Sequence, residues 1–67
     1  MKIILNNNNE SFESEKLTIR ELLKIKNFTF KMLVIKINGT LVKKTDYDST
    51  IVKDGDDVKV LHLISGG

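Results

Sequence analysis

Leu33-Val34-Ile35-Lys36-Ile37-Asn38-Gly39-Thr40-Leu41-Val42-Lys43 is the stretch from which the fold is read. An Asn-Gly pair between β-rich runs predicts a tight hairpin, because both central residues of such a turn take positive φ, which Asn and Gly tolerate best. A loop of Asn38 and Gly39 alone also fixes the register, setting Ile37 opposite Thr40 and Ile35 opposite Val42. Strand alternation then places Ile35, Ile37 and Val42 on one face, the expected core. Val34, Lys36, Leu41 and Lys43 fall on the other.

Working back from the hairpin, Thr18-Ile19-Arg20-Glu21 is a capping box. The Thr hydroxyl and the Glu carboxylate each satisfy a backbone N–H that the first helical turn leaves free, and Leu17 and Leu22 stand at the hydrophobic-staple positions. Ile19, Leu22, Leu23 and the stem of Lys26 share one face of the helix so started, and Asn27 suits its C-terminal end. Earlier still, Lys2-Ile3-Ile4-Leu5 reads as a strand. Asn6 to Asn9 form a hairpin tip, and Glu10 to Ser14 a return strand with Phe12 turned inward.

Working forward, Thr45 to Thr50 is polar around Tyr47 and reads as a loop or a short turn of helix, and Ile51-Val52 as a brief apolar contact. Lys53-Asp54-Gly55-Asp56 is a tight turn, and Asp57 to Ile64 the last strand. Ser65-Gly66-Gly67 follows with no side chain large enough to pack. The order β-β-α-β-β-β predicts an α+β fold of the β-grasp type, a mixed sheet with one helix across one face. Its first and last strands run parallel in the centre, so the chain leaves from the middle of the sheet. Ile3, Leu5, Phe12, Leu22, Ile35, Ile37, Val58 and Val60 are the expected core.

Sixty-seven residues suit one domain, 1–67, ending in a flexible tail at 65–67. A chain of this size buries only about 60% of its unfolded surface, so a cleft cut into the core would be costly and a carrier or binding module is favoured over an enzyme. With no cysteine, disulfides, thiolate–metal sites, persulfides and thiol nucleophiles are excluded. Eleven basic and nine acidic side chains are interspersed, without the clustered cations and stacking aromatics of a nucleic-acid binder. No apolar run approaches the ~18 residues of a membrane span, and Ile3-Ile4-Leu5 is too short for a signal peptide. A soluble cytoplasmic monomer is expected. His62 reads as a packing or surface residue, and Asp54, Asp56 and Asp57 as turn chemistry rather than a cation site.

The tail carries the chemistry. Chains of Gly without side chains thread narrow channels, and a terminal carboxylate is open to attack from any side. A carboxylate is ionised at neutral pH and a poor electrophile, so it needs activation, most simply as a mixed anhydride with AMP.

Asn38-Gly39 after an apolar strand, Lys53-Asp54-Gly55-Asp56-Asp57-Val58, the helix opening Leu17-Thr18-Ile19-Arg20-Glu21-Leu22-Leu23 and the ending Ile64-Ser65-Gly66-Gly67 resemble the ubiquitin-like sulfur carriers of thiamine biosynthesis, the ThiS family. The resemblance spans the chain. It implies that Gly67 is adenylated by a ubiquitin-activating-type enzyme using ATP, with no cofactor bound to the carrier itself. A sulfur donor enzyme then supplies the thiocarboxylate sulfur, which passes to thiazole synthase, while Ser65 and Gly66 thread the channel. Val42-Lys43-Lys44 departs from the Val-Pro-Arg of many members, and Tyr47 stands where Trp is common. The small subunit of molybdopterin synthase shares fold and tail but tends to carry prolines, of which this chain has none. A conjugated ubiquitin-like modifier and an inert β-grasp interaction domain are the other readings.

Parity in the last strand adds a docking surface. Val58 and Val60 point to the helix, so Leu61 and Leu63 point away with Lys59, on the face that the hairpin register gives to Val34 and Leu41. Leu61, Leu63 and Leu41 are expected to form an exposed patch behind the tail, which docks the activating and acceptor enzymes.

Overall fold

The computed structural model describes residues 1–29 and 32–62. β1 (Lys2–Leu5) and β2 (Asn8–Ser11) make the first hairpin. Its turn is narrower than the run of asparagines suggests. Asn6 and Asn7 alone take left-handed angles, φ 50° and 69°, while Asn8 and Asn9 already pair with Leu5 and Ile4. Two successive left-handed residues reverse the chain at once and match the twist of the strands they join, so no wider loop is needed.

β3 (Lys16–Thr18) leads directly into α1 (Ile19–Ile25). The capping box closes as expected: the Thr18 hydroxyl accepts from the Glu21 N–H at 3.1 Å, and the Glu21 carboxylate accepts from the Thr18 N–H at 2.9 Å. These bonds, the backbone one first, hold the Glu21 carboxyl below its ordinary value of 4.5. At the other end Asn27 is left-handed, φ 59°, and closes the helix with two bonds, Asn27 N–H to Lys24 C=O at 3.1 Å and Phe28 N–H to Leu23 C=O at 2.8 Å. That pairing satisfies carbonyls the last turn leaves open.

β4 (Leu33–Ile37) and β5 (Thr40–Val42) follow in the expected register, Ile37 opposite Thr40 and Ile35 opposite Val42. Asn38 and Gly39 both have positive φ, 50° and 84°. A 3₁₀ turn at Lys44–Asp46, β6 (Ile51–Lys53) and β7 (Asp57–His62) complete the described chain. The main sheet has the order β2-β1-β7-β4-β5, with β1 and β7 parallel at its centre. This is the ubiquitin-like β-grasp, α1 burying Ile19, Leu22 and Leu23 against Ile3, Leu5, Ile35, Val58 and Val60 of the sheet.

Three further features differ from the sequence reading. The segment read as a brief apolar contact is a true strand, β6, which pairs with β3 in a second small sheet and sets Leu17 opposite Val52. Both are in the core, Val52 fully enclosed. Tyr47, read as part of a polar loop, is only 5% exposed. The 3₁₀ turn swings it inward, and its carbonyl accepts the Arg20 N–H at 3.0 Å, tying that segment to the first turn of α1. Phe12 and Ile37 pack against the core without being enclosed by it. Phe12 sits just beyond edge strand β2, where only one side of the sheet offers neighbours.

Candidate functional site

β7 is the last described element before the tail, and its two ends are held differently. At its start, the Asn38 side chain accepts from the Asp57 N–H at 2.9 Å and donates to Asp56 at 3.0 Å, while the Asn38 N–H reaches the Asp57 carbonyl at 2.8 Å. Asp56 also accepts the Lys53 N–H at 2.8 Å, and Asp54 accepts the Lys2 N–H at 2.6 Å. Gly55, with φ 87°, lets its own N–H turn back to the Lys2 carbonyl at 2.7 Å. The aspartate carboxylates of this turn are thus occupied as acceptors for backbone N–H groups.

Further along, the Asn6 N–H donates to the Val58 carbonyl at 2.9 Å and the Asn6 side-chain oxygen accepts the Val60 N–H at 2.8 Å. The amide side chain thereby prolongs the β1–β7 pairing beyond the last residue of β1. Sequence reasoning assigned Asn6 and Asn38 to turns and missed their grip on β7. The signal was present, since an Asn in a left-handed turn has a short polar side chain free to bond across to backbone.

The last part of β7 runs beside β4, with Val34 opposite Leu61 and Leu33 opposite His62. The expected alternation holds: Val58 is fully buried, Val60 is 7% exposed and Leu61 is 50% exposed. Leu41 is 58% exposed. It lies opposite Lys36 on β5, and is therefore the diagonal neighbour of Val34 on the outer face. Leu61, Val34 and Leu41 thus form a diagonal apolar stripe across the uncovered side of the sheet, bordered by Lys36 and Lys59. Val34 is half-buried, shielded from both sides as a residue of an interior strand. His62 is exposed at the end of β7. Leu63, Ser65, Gly66 and Gly67 lie outside the described residues.

A second concavity, about 750 Å³, opens beside the α1 C-terminus between the helix and the β4–β5 edge. Its floor is largely apolar and includes Leu23, Phe28, Leu33 and Val42. Among the described residues no group of His, Asp or Glu is arranged to hold a metal ion, and no helix is long and apolar enough to cross a membrane.

A β-grasp domain whose last described strand lies mid-sheet, beside an exposed apolar stripe, defines the class: small ubiquitin-like proteins. Within that class the chain belongs to the ThiS family, whose model matches residues 2–67. An uncharacterized protein of Porphyra purpurea, ycf40, is 34% identical over 61 residues, covering 90% of this chain and 86% of the relative. A crystal structure of the thiamine biosynthesis protein ThiS of Geobacter metallireducens superposes with a TM-score of 0.90 at 29% identity, with all of both chains covered. A solution structure of a thiamine biosynthesis protein from the same organism gives 0.80 at 29% identity, covering all of this chain and 88% of that one.

Proposed function

We propose that this protein carries sulfur for thiazole formation in thiamine biosynthesis, as a soluble cytoplasmic monomer and a substrate of enzymes rather than an enzyme itself. The observation that carries the reading is the family match through residue 67, which takes in Gly66 and Gly67. The likeness to the thiamine biosynthesis protein of Geobacter metallireducens supports it.

The chemistry belongs to the Gly67 carboxylate. One of its oxygens attacks the α-phosphorus of ATP held by a ubiquitin-activating-type enzyme, and pyrophosphate leaves. The acyl adenylate now has a good leaving group where the carboxylate had none. A hydrosulfide equivalent from a sulfur donor enzyme attacks the acyl carbon and expels AMP with loss of a proton, leaving a terminal thiocarboxylate. Thiazole synthase takes the sulfur from there. The carrier binds no cofactor and ATP stays on the activating enzyme. Gly66 and Ser65 pass through the narrow approach to the nucleotide because neither presents bulk. The stripe of Leu61, Val34 and Leu41 gives the partner enzymes an apolar surface to grip.

The decisive experiment uses protein whose Gly67 carboxylate is capped as an amide. With the activating enzyme and labelled pyrophosphate, the capped protein is expected to support no exchange into ATP while the uncapped protein does. With ATP and a sulfur donor, mass spectrometry should show one oxygen replaced by sulfur in the uncapped chain alone. Exchange by the amidated protein would place the reacting group elsewhere. An isopeptide adduct in place of the thiocarboxylate would make the protein a modifier.

A further inference from the structure

The concavity beside the α1 C-terminus is not used by the carrier chemistry, and its charge is unlike the rest of the molecule. Arg20, Lys24, Lys43 and Lys44 line its rim, and no acidic side chain lines it. The whole chain carries a net charge of only +2, so the surface outside this rim is net acidic. Arg20 is tied to Asp48 at 3.0 Å and lies over the Tyr47 ring at 5.5 Å, which holds one cation in place. Lys24, Lys43 and Lys44 have no ion-pair partner among the described residues. These three lysines, gathered around one groove beside the already paired Arg20, repel one another, a cost that an incoming anion relieves.

The floor says what kind of anion. Leu23, Leu33 and Val42 are aliphatic, Phe28 is half-buried, and Met32 at the lip is 47% exposed. Tyr47 lies buried under Arg20 and Phe28 is half-buried, so among the described residues no broadly exposed ring is available to stack on a base, as a nucleic-acid groove would require. Aliphatic walls with a flexible methionine suit apolar side chains of a partner, and an unpaired cationic rim suits carboxylates on either side of them. We infer that this groove docks a segment of a partner protein in which apolar anchors alternate with Asp or Glu. The groove borders Leu33, which pairs with His62 at the end of β7, so a bound segment lies close to the root of the tail. Its occupancy depends on neither adenylation nor thiocarboxylate formation.

A short synthetic peptide with Leu and Phe anchors spaced by Glu, and its counterpart with Lys in place of Glu, provide the test on the isotope-labelled full chain. The acidic peptide is expected to shift the amide signals of Leu23, Phe28, Met32 and Tyr47, and the basic one to leave them in place. Lys43→Glu with Lys44→Glu alters two exposed side chains, should keep the native spectrum, and should weaken the acidic peptide about tenfold or more, as should added salt. Equal binding of both peptides, shifts confined to Leu61 and Lys59, or unchanged affinity in the double variant would each overturn the proposal. Preferential binding of a single-stranded oligonucleotide at the same residues would replace it with a nucleic-acid site. Because no activating enzyme is present, none of these outcomes bears on whether Gly67 is adenylated.

Discussion

The two ends of the β4–β7 pairing differ in what holds them. Near Ile37 and Val58, side chains of Asn38, Asp54 and Asp56 bind backbone N–H groups from three separate segments, β1, β6 and β7. Near Leu33 and His62 apolar and cationic residues are exposed together, Leu61, Leu41, Met32, Lys43 and Lys44 among them. The first end is closed upon itself by hydrogen bonds, and the second presents surface that the other described residues leave uncovered. A small domain with little core to spare thus has its polar bracing far from the end at which partner contact is proposed, so contact there would not compete with the bonds that keep it folded.

Removing the core that both ends share should break the contrast altogether. Leu22 is fully enclosed, and Leu22→Ala is expected to cost about 2–5 kcal/mol in denaturant unfolding, lowering amide protection at both ends together. Loss confined to the Leu61 end would show that the two ends fold as separate units. Asp56→Ala removes the acceptor of Lys53 N–H and of the Asn38 side chain, and should cost about 1–2 kcal/mol, with the earliest exchange at the amides of Lys53 and Asp57. A stability unchanged by this variant would mean the braced end is braced only by its backbone.

The capping box sharpens the comparison by a smaller step, since it belongs to neither end. Thr18→Ala should cost about 1 kcal/mol in thermal unfolding. The Glu21 carboxyl sits below its ordinary value in the folded protein, so its stabilising effect is fully present above 4.5 and fades as pH falls through the lower folded value. Glu21→Gln should remove that part of the acid sensitivity, and a stability profile identical to the parent's below pH 4.5 would contradict the assignment. The smallest effect on stability is expected at the open end. Leu61→Asp should change unfolding free energy by no more than about 0.5 kcal/mol while sharply weakening capture by the activating enzyme. Unchanged capture would move the docking surface off the sheet.

The features legible in the sequence were those whose geometry a few adjacent residues dictate. Thr18 and Glu21 announce the helix start, Asn38-Gly39 sets a register, and the parity of Val58, Val60 and Leu61 follows once the strand is granted. The features missed depend on partners distant along the chain. β3 and β6 are short, and each looks like loop until the other is set beside it. Tyr47 sits among polar residues, and only the closing of its segment onto Arg20 turns it inward. At the candidate site, the exposure of Leu61 and Leu41 could be read from alternation. The cationic groove could not, because Arg20 and Lys24 lie on α1 and Lys43 and Lys44 follow β5, two segments that only the assembled fold brings around one hollow.

The place of β7 between β1 and β4 has a consequence for how the protein is made. Of the strands in the main sheet, the last to leave the ribosome occupies the middle. Until it emerges, the β1–β2 hairpin and the β4–β5 hairpin have no common edge to join them, and α1 has only parts of a floor to cover. A nascent chain can form its hairpins and its helix cap early, since these are local, but the sheet awaits the joining of segments far apart in sequence, the slower kind of step. The segment that completes the sheet is the one that leads to Gly67.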